Sequence, residues 1–340
     1  MRIIKVGTRQ SALALTQTEQ VVEQLRKLAL AAGIDCDFEL VKMITKGDRI
    51  LDVSLSKIGG KGLFVKEIEQ ALMDGTIDIA VHSMKDVPSS LQEGLVIGAI
   101  PQRVDPRDCL ITREYAGLDQ VPQGARVGTS SLRRAAQLLA HRPDLIVEPV
   151  RGNIDSRLHK LHTESFDAIL LAAAGLIRMG WTDRISAYLS TEICIPAVGQ
   201  GALGIECRGE DTTIIQLLAK LNHEPTAFTV RAERAFLNRL NGGCQIPIGA
   251  YAELIDETED DLHALSTIER SNTVSDHQTV GKEHKYTLRL TGMVGRPDGN
   301  QLLVERRVGT DPEAVGRGLA EALVARGADR ILAEYIDTTK

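Results

Sequence analysis

The stretch RVGTSSLRRAAQLLAHRPDLIVEPVRGN, residues 126–153, holds a strand, a helix and a second strand in 28 residues. Residues 126–128 read as a short strand. Leu132, Ala136 and Leu139 then recur on one helical face, and 145–150 is again apolar and strand-like. Such a succession is the building block of a largely parallel sheet covered by helices.

The same alternation extends to both sides. Residues 3–6 read as a strand, after which Ser11 can cap a helix striped by Leu15, Thr18, Val22, Leu25 and Ala29. Residues 38–43 form a strand, 65–73 a helix and 77–82 a buried strand. Downstream, 155–161 reads as a helix and 166–172 as a strand. Turn-rich stretches at 101–106 and 195–204 interrupt this pattern, and each is a candidate hinge. Beyond Leu221 the character changes. A helix at 226–240 leads to strands at 246–254, 286–294 and 302–308, then a helix at 312–326, as expected of a separate α+β unit. No repeat of solenoid period is present.

With 340 residues, the chain is long enough for two or three domains. Its 43% hydrophobic and 25% charged residues exclude collagen-like and disordered classes. There is no signal-peptide core and no membrane-length apolar run, so a cytoplasmic protein is expected. Five widely spaced cysteines without a C-x-x-C pair speak against a disulfide framework or a zinc ribbon. His159-x-x-His162 lacks an evident third ligand and reads as a solvated helix face, so no metal is expected. The net charge of -6 argues against nucleic acid and anionic membranes as partners. The charge is uneven, however: residues 224–340 carry 14 cations and 19 acids, whereas residues 1–223 carry 26 and 27. Of the 40 cations 27 are Arg, the side chain suited to forked contacts with carboxylates.

Several arginines stand where a strand turns into a helix. The 3–6 strand ends in Gly7-Thr8-Arg9-Gln10-Ser11, the strand at Val127 in Gly128-Thr129-Ser130-Ser131-Leu132-Arg133-Arg134, and the 145–150 strand in Arg151-Gly152-Asn153, followed by Arg157. Ligands of open α/β sheets collect at these carboxyl ends. A helix N-terminus disfavours cations by a few tenths to ~1 kcal/mol, and a bound anion reverses that sign. Three such junctions favour an anion site over solvated or internally paired arginines. With neither a Walker A loop nor a dinucleotide fingerprint, the forked cations suit a ligand with several carboxylates.

The 77–82 strand ends in Ser83-Met84-Lys85-Asp86-Val87-Pro88, so Asp86 shares the edge that carries the arginines. It can guide a developing cation or shuttle a proton, or it can simply open the turn before Pro88. Cys244 lies in Asn241-Gly242-Gly243-Cys244-Gln245, between a helix end and a strand, where two glycines leave the thiol on an open loop. Covalent attachment stands beside an inert thiol as its reading, whereas the other four cysteines sit in or beside apolar runs.

Taken in order, Gly7-Thr8-Arg9-Gln10-Ser11, Lys46-Gly47-Asp48, Gly59-Gly60-Lys61-Gly62-Leu63-Phe64, His82 to Pro88, Gly128 to Arg134, Arg151-Gly152-Asn153, Pro196-Ala197-Val198-Gly199-Gln200-Gly201 and Gly242-Gly243-Cys244-Gln245 resemble the porphobilinogen deaminase (hydroxymethylbilane synthase) family. The ordered set spans nearly the whole chain. The resemblance implies a transferase that joins four porphobilinogen units head to tail with loss of ammonia. It also implies a dipyrromethane cofactor held through a thioether, with Cys244 at the attachment position and Asp86 at the position of the catalytic aspartate. Ser11, Lys85, Asp86, Thr129, Ser130, Arg133, Arg134, Arg151 and Gly152 fall on cofactor-binding positions. Arg9, Arg157, Arg178, Gln200, Lys61 and Phe64 fall on substrate-binding positions, the last two in the family's active-site loop.

The implied fold is two periplasmic-binding-like α/β lobes around a cleft plus a smaller α+β domain. Residues 1–101 and 202–219 would form the first lobe, 107–195 the second and 223–340 the third unit, and the chain would act as a monomer. One departure is a polar insert at about 256–284, where the family has a short turn; it reads as a solvated loop. Two other classes fit parts of the pattern. A two-lobed carboxylate-binding protein would suit the arginine junctions but not the Gly-Gly-Cys loop, and a Cys-dependent hydrolase lacks a histidine near Cys244 in sequence.

Overall fold

The computed structural model describes residues 2–49, 65–242, 246–255 and 286–336. The active-site-loop residues Lys61 and Phe64, the thiol Cys244 and the polar insert therefore lie outside the described residues.

The chain begins with β1 (Arg2–Arg9), α1 (Ala12–Ala31) and β2 (Cys36–Met43), then α2 (Lys66–Met73), β3 (Ile79–Ser83) and β4 (Leu95–Ala99). Next come β5 (Asp108–Thr112), β6 (Arg126–Gly128), α3 (Leu132–His141), β7 (Ile146–Glu148) and α4 (Ile154–Thr163). They are followed by β8 (Ala168–Ala172), α5 (Ala173–Arg178), β9 (Ala187–Tyr188), β10 (Leu203–Arg208) and α6 (Thr212–Ala219). The last third is α7 (Glu224–Arg239), β11 (Ile248–Ile255), β12 (Thr287–Gly295), β13 (Leu302–Gly309), α8 (Pro312–Ala325) and α9 (Ala328–Ile336).

The described strands form two five-stranded sheets, ordered β2-β1-β3-β10-β4 and β7-β6-β8-β5-β9, and a three-stranded sheet β11-β12-β13. The expectation of largely parallel sheets holds, with one reversed strand in each five-stranded sheet that the sequence reading did not foresee. β1 runs parallel to β2 and β3, but β10 is antiparallel to both β3 and β4. In the second sheet β6 is parallel to β7 and β8, while β5 is antiparallel to β8 and β9. Each reversed strand is one that enters its sheet from a crossover. The chain leaves the first sheet after Ala99 and re-enters it at Leu203, so β10 arrives from the other unit instead of over a helix. The third sheet is antiparallel throughout.

Both five-stranded sheets are covered on two faces. Val21, Val22 and Leu25 of α1 pack with Ile4, Ile79 and Ile205 on one side of the first sheet, while Ile68 and Leu72 of α2 pack with Ile77 and Ala80 on the other. Helix starts follow local chemistry: the hydroxyl of Ser11 accepts from the Ala14 amide at 3.4 Å, and that of Ser131 from the Arg134 amide at 3.4 Å. In the third unit Phe236 of α7 and Leu319 of α8 lie against Leu288 and Leu290 of β12.

Glu233 of α7 ties the three units together. Its fully buried carboxylate accepts from Arg103 at 2.6 and 3.2 Å, from the Gly199 amide at 2.6 Å and from the Ala252 amide at 3.0 Å. Arg103 belongs to the first crossover, Gly199 to the second, and Ala252 to the third sheet. The crossovers also touch directly, since the Val104 amide donates to the Gly201 carbonyl at 3.1 Å. Gly201 has φ +87, and a Cβ there would lie 2.5 Å from the Val104 carbonyl oxygen. Only glycine meets both conditions.

Candidate active site

The carboxyl ends of the parallel strands of both five-stranded sheets face one cleft, because each strand hands the chain to a helix on the same edge. Within it lies a cavity of about 190 Å³. Arg9, Ser11, Gln17, Ser83 and Lys85 line one wall; Arg134, Gly152, Asn153, Arg157 and Arg178 line the other. Gly199 and Gly201 of the second crossover form part of the lining. Beside it, Gln20 of α1 donates to the Arg178 carbonyl at 3.3 Å, joining the two walls.

Arg157 and Arg178 are the chemically decisive pair. Arg157 Nε donates to the Gly152 carbonyl at 2.8 Å, and Arg178 Nη2 to the Gly201 carbonyl at 2.7 Å. Among the described residues neither guanidinium makes an ion pair with a carboxylate. Burial pushes Arg157 down to about 10, helped by repulsion from Arg134 and Arg151 and opposed by Asp86. Burial pushes Arg178 down to about 10 as well. Both stay charged at neutral pH, so the cavity wall carries buried positive charge that the described protein does not neutralise. Burial also lowers Lys85, with Asp86 acting against it, and lowers Arg151.

Asp86 closes the single 3₁₀ turn of Met84–Asp86 that follows β3. The turn is fixed by the Met84 amide, which donates to the Ala202 carbonyl at 3.0 Å, and by the Val87 amide, which donates to Met84 at 3.1 Å. Asp86 is half-buried, and it is the carboxylate whose field acts on both Lys85 and Arg157. The cavity wall itself includes Lys85 but not Asp86.

The arginine pair at the start of α3 needs a different account from the one its position predicts. Arg133 Nη1 donates to Asp108 at 2.6 Å and to the Ile195 carbonyl at 2.6 Å. Arg134 Nε and Nη2 donate to the other Asp108 oxygen at 2.9 and 2.7 Å, and Nη1 to the Leu170 carbonyl at 3.0 Å. The anion that offsets two cations in this first turn is therefore Asp108, wholly buried at the start of β5. Burial raises the Asp108 carboxyl, but the two arginines outweigh it and hold it well below the usual carboxylate range. Arg134 still forms part of the cavity wall; Arg133 does not.

Other predicted residues also work locally. Ser130 Oγ donates to the Val150 carbonyl at 2.8 Å, and Thr129 Oγ1 accepts from the Ser131 amide at 3.2 Å. Gln200 Nε2 donates to the Pro106 carbonyl at 2.7 Å and to Asp108 at 3.0 Å, so it joins the crossovers beneath the cavity. Gln17, Ser83 and Asn153 face the cavity without having been picked out in sequence. Asp108 was also missed; its only local signal is an acid opening an apolar strand directly after a turn-rich crossover.

The remaining thiols are poorly suited to chemistry. Burial pushes Cys109 and Cys194 up to about 12 and Cys207 up to about 11. His159 and His162 are both exposed on α4.

Comparison with known proteins adds independent evidence. A family model described as "Porphobilinogen deaminase, dipyromethane cofactor binding domain" matches residues 4–216, and one described as "Porphobilinogen deaminase, C-terminal domain" matches residues 227–325. The porphobilinogen deaminase of Paenibacillus macerans is 58% identical over 326 residues, covering 96% of this chain and 98% of that protein. Those of Brevibacillus brevis and Halalkalibacterium halodurans are each 54% identical, covering 98% of this chain and 97% of theirs.

Proposed function

The chain belongs to the porphobilinogen deaminase family, and we propose that the arginine-lined cleft is where it carries out that family's reaction, with Asp86 as the catalytic carboxylate. The enzyme is a hydroxymethylbilane synthase: it joins four porphobilinogen molecules into hydroxymethylbilane, releases ammonia and serves tetrapyrrole biosynthesis. Dipyrromethane, its cofactor, supplies the covalently held pyrrole end to which the first unit is joined.

The observation that carries the site reading is a pair of half-buried guanidiniums on one cavity, Arg157 and Arg178, which make no ion pair among the described residues. Each porphobilinogen brings two side-chain carboxylates, so the chemistry of the donor set fits both the substrate and its primer. Arg9, Lys85, Arg134, Arg157 and Arg178 would engage carboxylates, with Ser11 and Gly152 at the two walls. Arg151 stands beside this group. Thr129, Ser130, Arg133 and Gln200 act one step back, holding the α3 junction and the crossovers. Cys244 would hold the primer by a thioether, and Lys61 and Phe64 would approach it from their loop.

Asp86 has the right charge for its task. Loss of an amine from an aminomethylpyrrole leaves positive charge on the ring, and a carboxylate fixed nearby stabilises that charge as it develops. Its field in turn favours the charged forms of Lys85 and Arg157 beside it. Tethering makes every coupling effectively intramolecular and keeps partial products from diffusing away. The division into units at 1–101 with 202–219, 107–195 and 223–340 follows the sheet memberships, and we read the enzyme as a cytoplasmic monomer. Among the described residues no helix is long and apolar enough to cross a membrane.

Asp86→Asn tests the assignment. Protein loaded with primer should retain its fold while ammonia release falls about a hundredfold or more. Turnover near wild type in that variant rejects Asp86 as the catalytic group.

A further inference from the structure

Arg234 lies in the middle of α7, in the C-terminal unit, yet its guanidinium is committed to the first lobe. Nη2 donates to the Pro88 carbonyl at 2.7 Å and to the Ser89 carbonyl at 3.4 Å; Nη1 donates to the Val87 carbonyl at 3.4 Å and lies 3.8 Å from Met84 Sδ. These groups bracket Asp86 on both sides, one residue pair upstream and three residues downstream. Among the described residues Arg234 makes no ion pair, and burial lowers its guanidinium, with the field of Glu206 opposing. A charged fork turned away from water and given to three consecutive carbonyls is a clamp on backbone.

The clamped segment needs one. Pro88 has no amide to donate, and the 84–87 turn is otherwise fixed by the Met84 and Val87 amide bonds described above. Arg234 takes no part in the cavity wall. The same helix ends at Arg239, five residues before Cys244 in sequence.

We propose that Arg234 is a positioning residue for Asp86, setting the carboxylate's turn against the unit that carries Cys244. The proposal rests on the reading of Asp86 as catalytic. A displacement of about 1 Å at a reacting group costs on the order of a hundredfold in rate.

The test uses full-length, primer-loaded Arg234→Gln and Arg234→Lys, with Arg231→Gln as the control, since Arg231 lies on the same helix but pairs with Glu313 of α8 at the surface. For Arg234→Gln the expected results are a kcat lower by roughly tenfold to a hundredfold and a KM within about twofold of wild type. Intact mass should show the primer still attached, and the Val87 amide should exchange hydrogen faster while β3 is unchanged. Arg234→Lys, able to hold Pro88 but not Met84 as well, should fall between the two, and Arg231→Gln should behave as wild type. Combined with Asp86→Asn, Arg234→Gln should cause no further fall in kcat. A wild-type kcat in either Arg234 variant overturns the proposal, and the Lys variant carries this test if the Gln variant does not fold. A loss confined to KM, unchanged Val87 exchange or an additive double variant overturns it too. Normal turnover in Asp86→Asn instead removes the underlying reading, whereas an inactive Asp86→Asn beside a normal Arg234→Gln rejects only the role of Arg234.

Discussion

Asp108 shows how one buried acid sets the character of a cationic cleft. By pairing with Arg133 and Arg134 it offsets the charge at the start of α3, whereas Arg157 and Arg178 on the cavity make no ion pair among the described residues. Asp108→Asn strands two buried arginines and should cost about 3–5 kcal/mol of stability in urea unfolding at neutral pH. Because the folded carboxyl lies below its unfolded value of about 3.9, its contribution is complete above that pH and is lost as pH falls toward the folded value. Wild type should therefore lose stability below about pH 4, and Asp108→Asn should lack that component. Arg157→Gln and Arg178→Gln address binding. In the proposed role each would lose a charge-assisted contact to a substrate carboxylate, so the KM for porphobilinogen should rise about tenfold or more; unchanged KM in both contradicts the binding assignment. At this scale the sequence showed which junctions carry cations but not which cations are already paired. Arg133 and Asp108 are 25 residues apart, and only the folded sheet brings them to 2.6 Å.

Among the elements, those with local chemistry were readable in advance. Ser11 caps the helix it precedes, and of the stripe Leu15, Thr18, Val22, Leu25 and Ala29 all but the half-buried Leu15 are buried as its period requires. Strand direction was not readable. Ala168–Ala172 and Leu203–Arg208 are both buried apolar runs, yet the first pairs with β6 in parallel and the second with β3 antiparallel. An apolar run records burial on two faces; its direction depends on where the chain comes from, which is settled by crossovers far away in sequence. The turn-rich reading of 195–204 holds up to Ala202, after which β10 begins. Gly201→Ala tests that crossover. A methyl group in a left-handed backbone conformation against the Val104 carbonyl should cost more than about 1 kcal/mol in denaturant unfolding. A neutral substitution would show that the two crossovers are not held so closely.

For the whole molecule, the net charge of -6 and an affinity for polycarboxylates are compatible because the charges occupy different places. The acidic excess belongs to residues 224–340, whereas the cavity draws its guanidiniums from the two α/β units: Arg9 at the end of β1, Arg134 and Arg157 in the first turns of α3 and α4, and Arg178 at the end of α5. Glu233 joins the crossovers to the third unit, and Arg234 beside it reaches the Asp86 turn, so α7 links the three units mechanically. The central claim is that this enzyme builds its product on a primer anchored at Cys244. Intact-protein mass of freshly prepared wild type and Cys244→Ser, before and after limited porphobilinogen, tests it most directly. Wild type should exceed its sequence mass by two linked pyrroles and gain further units in single steps, and Cys244→Ser should keep its bare mass. An active wild type of bare mass, or the same adduct on Cys244→Ser, would contradict the account.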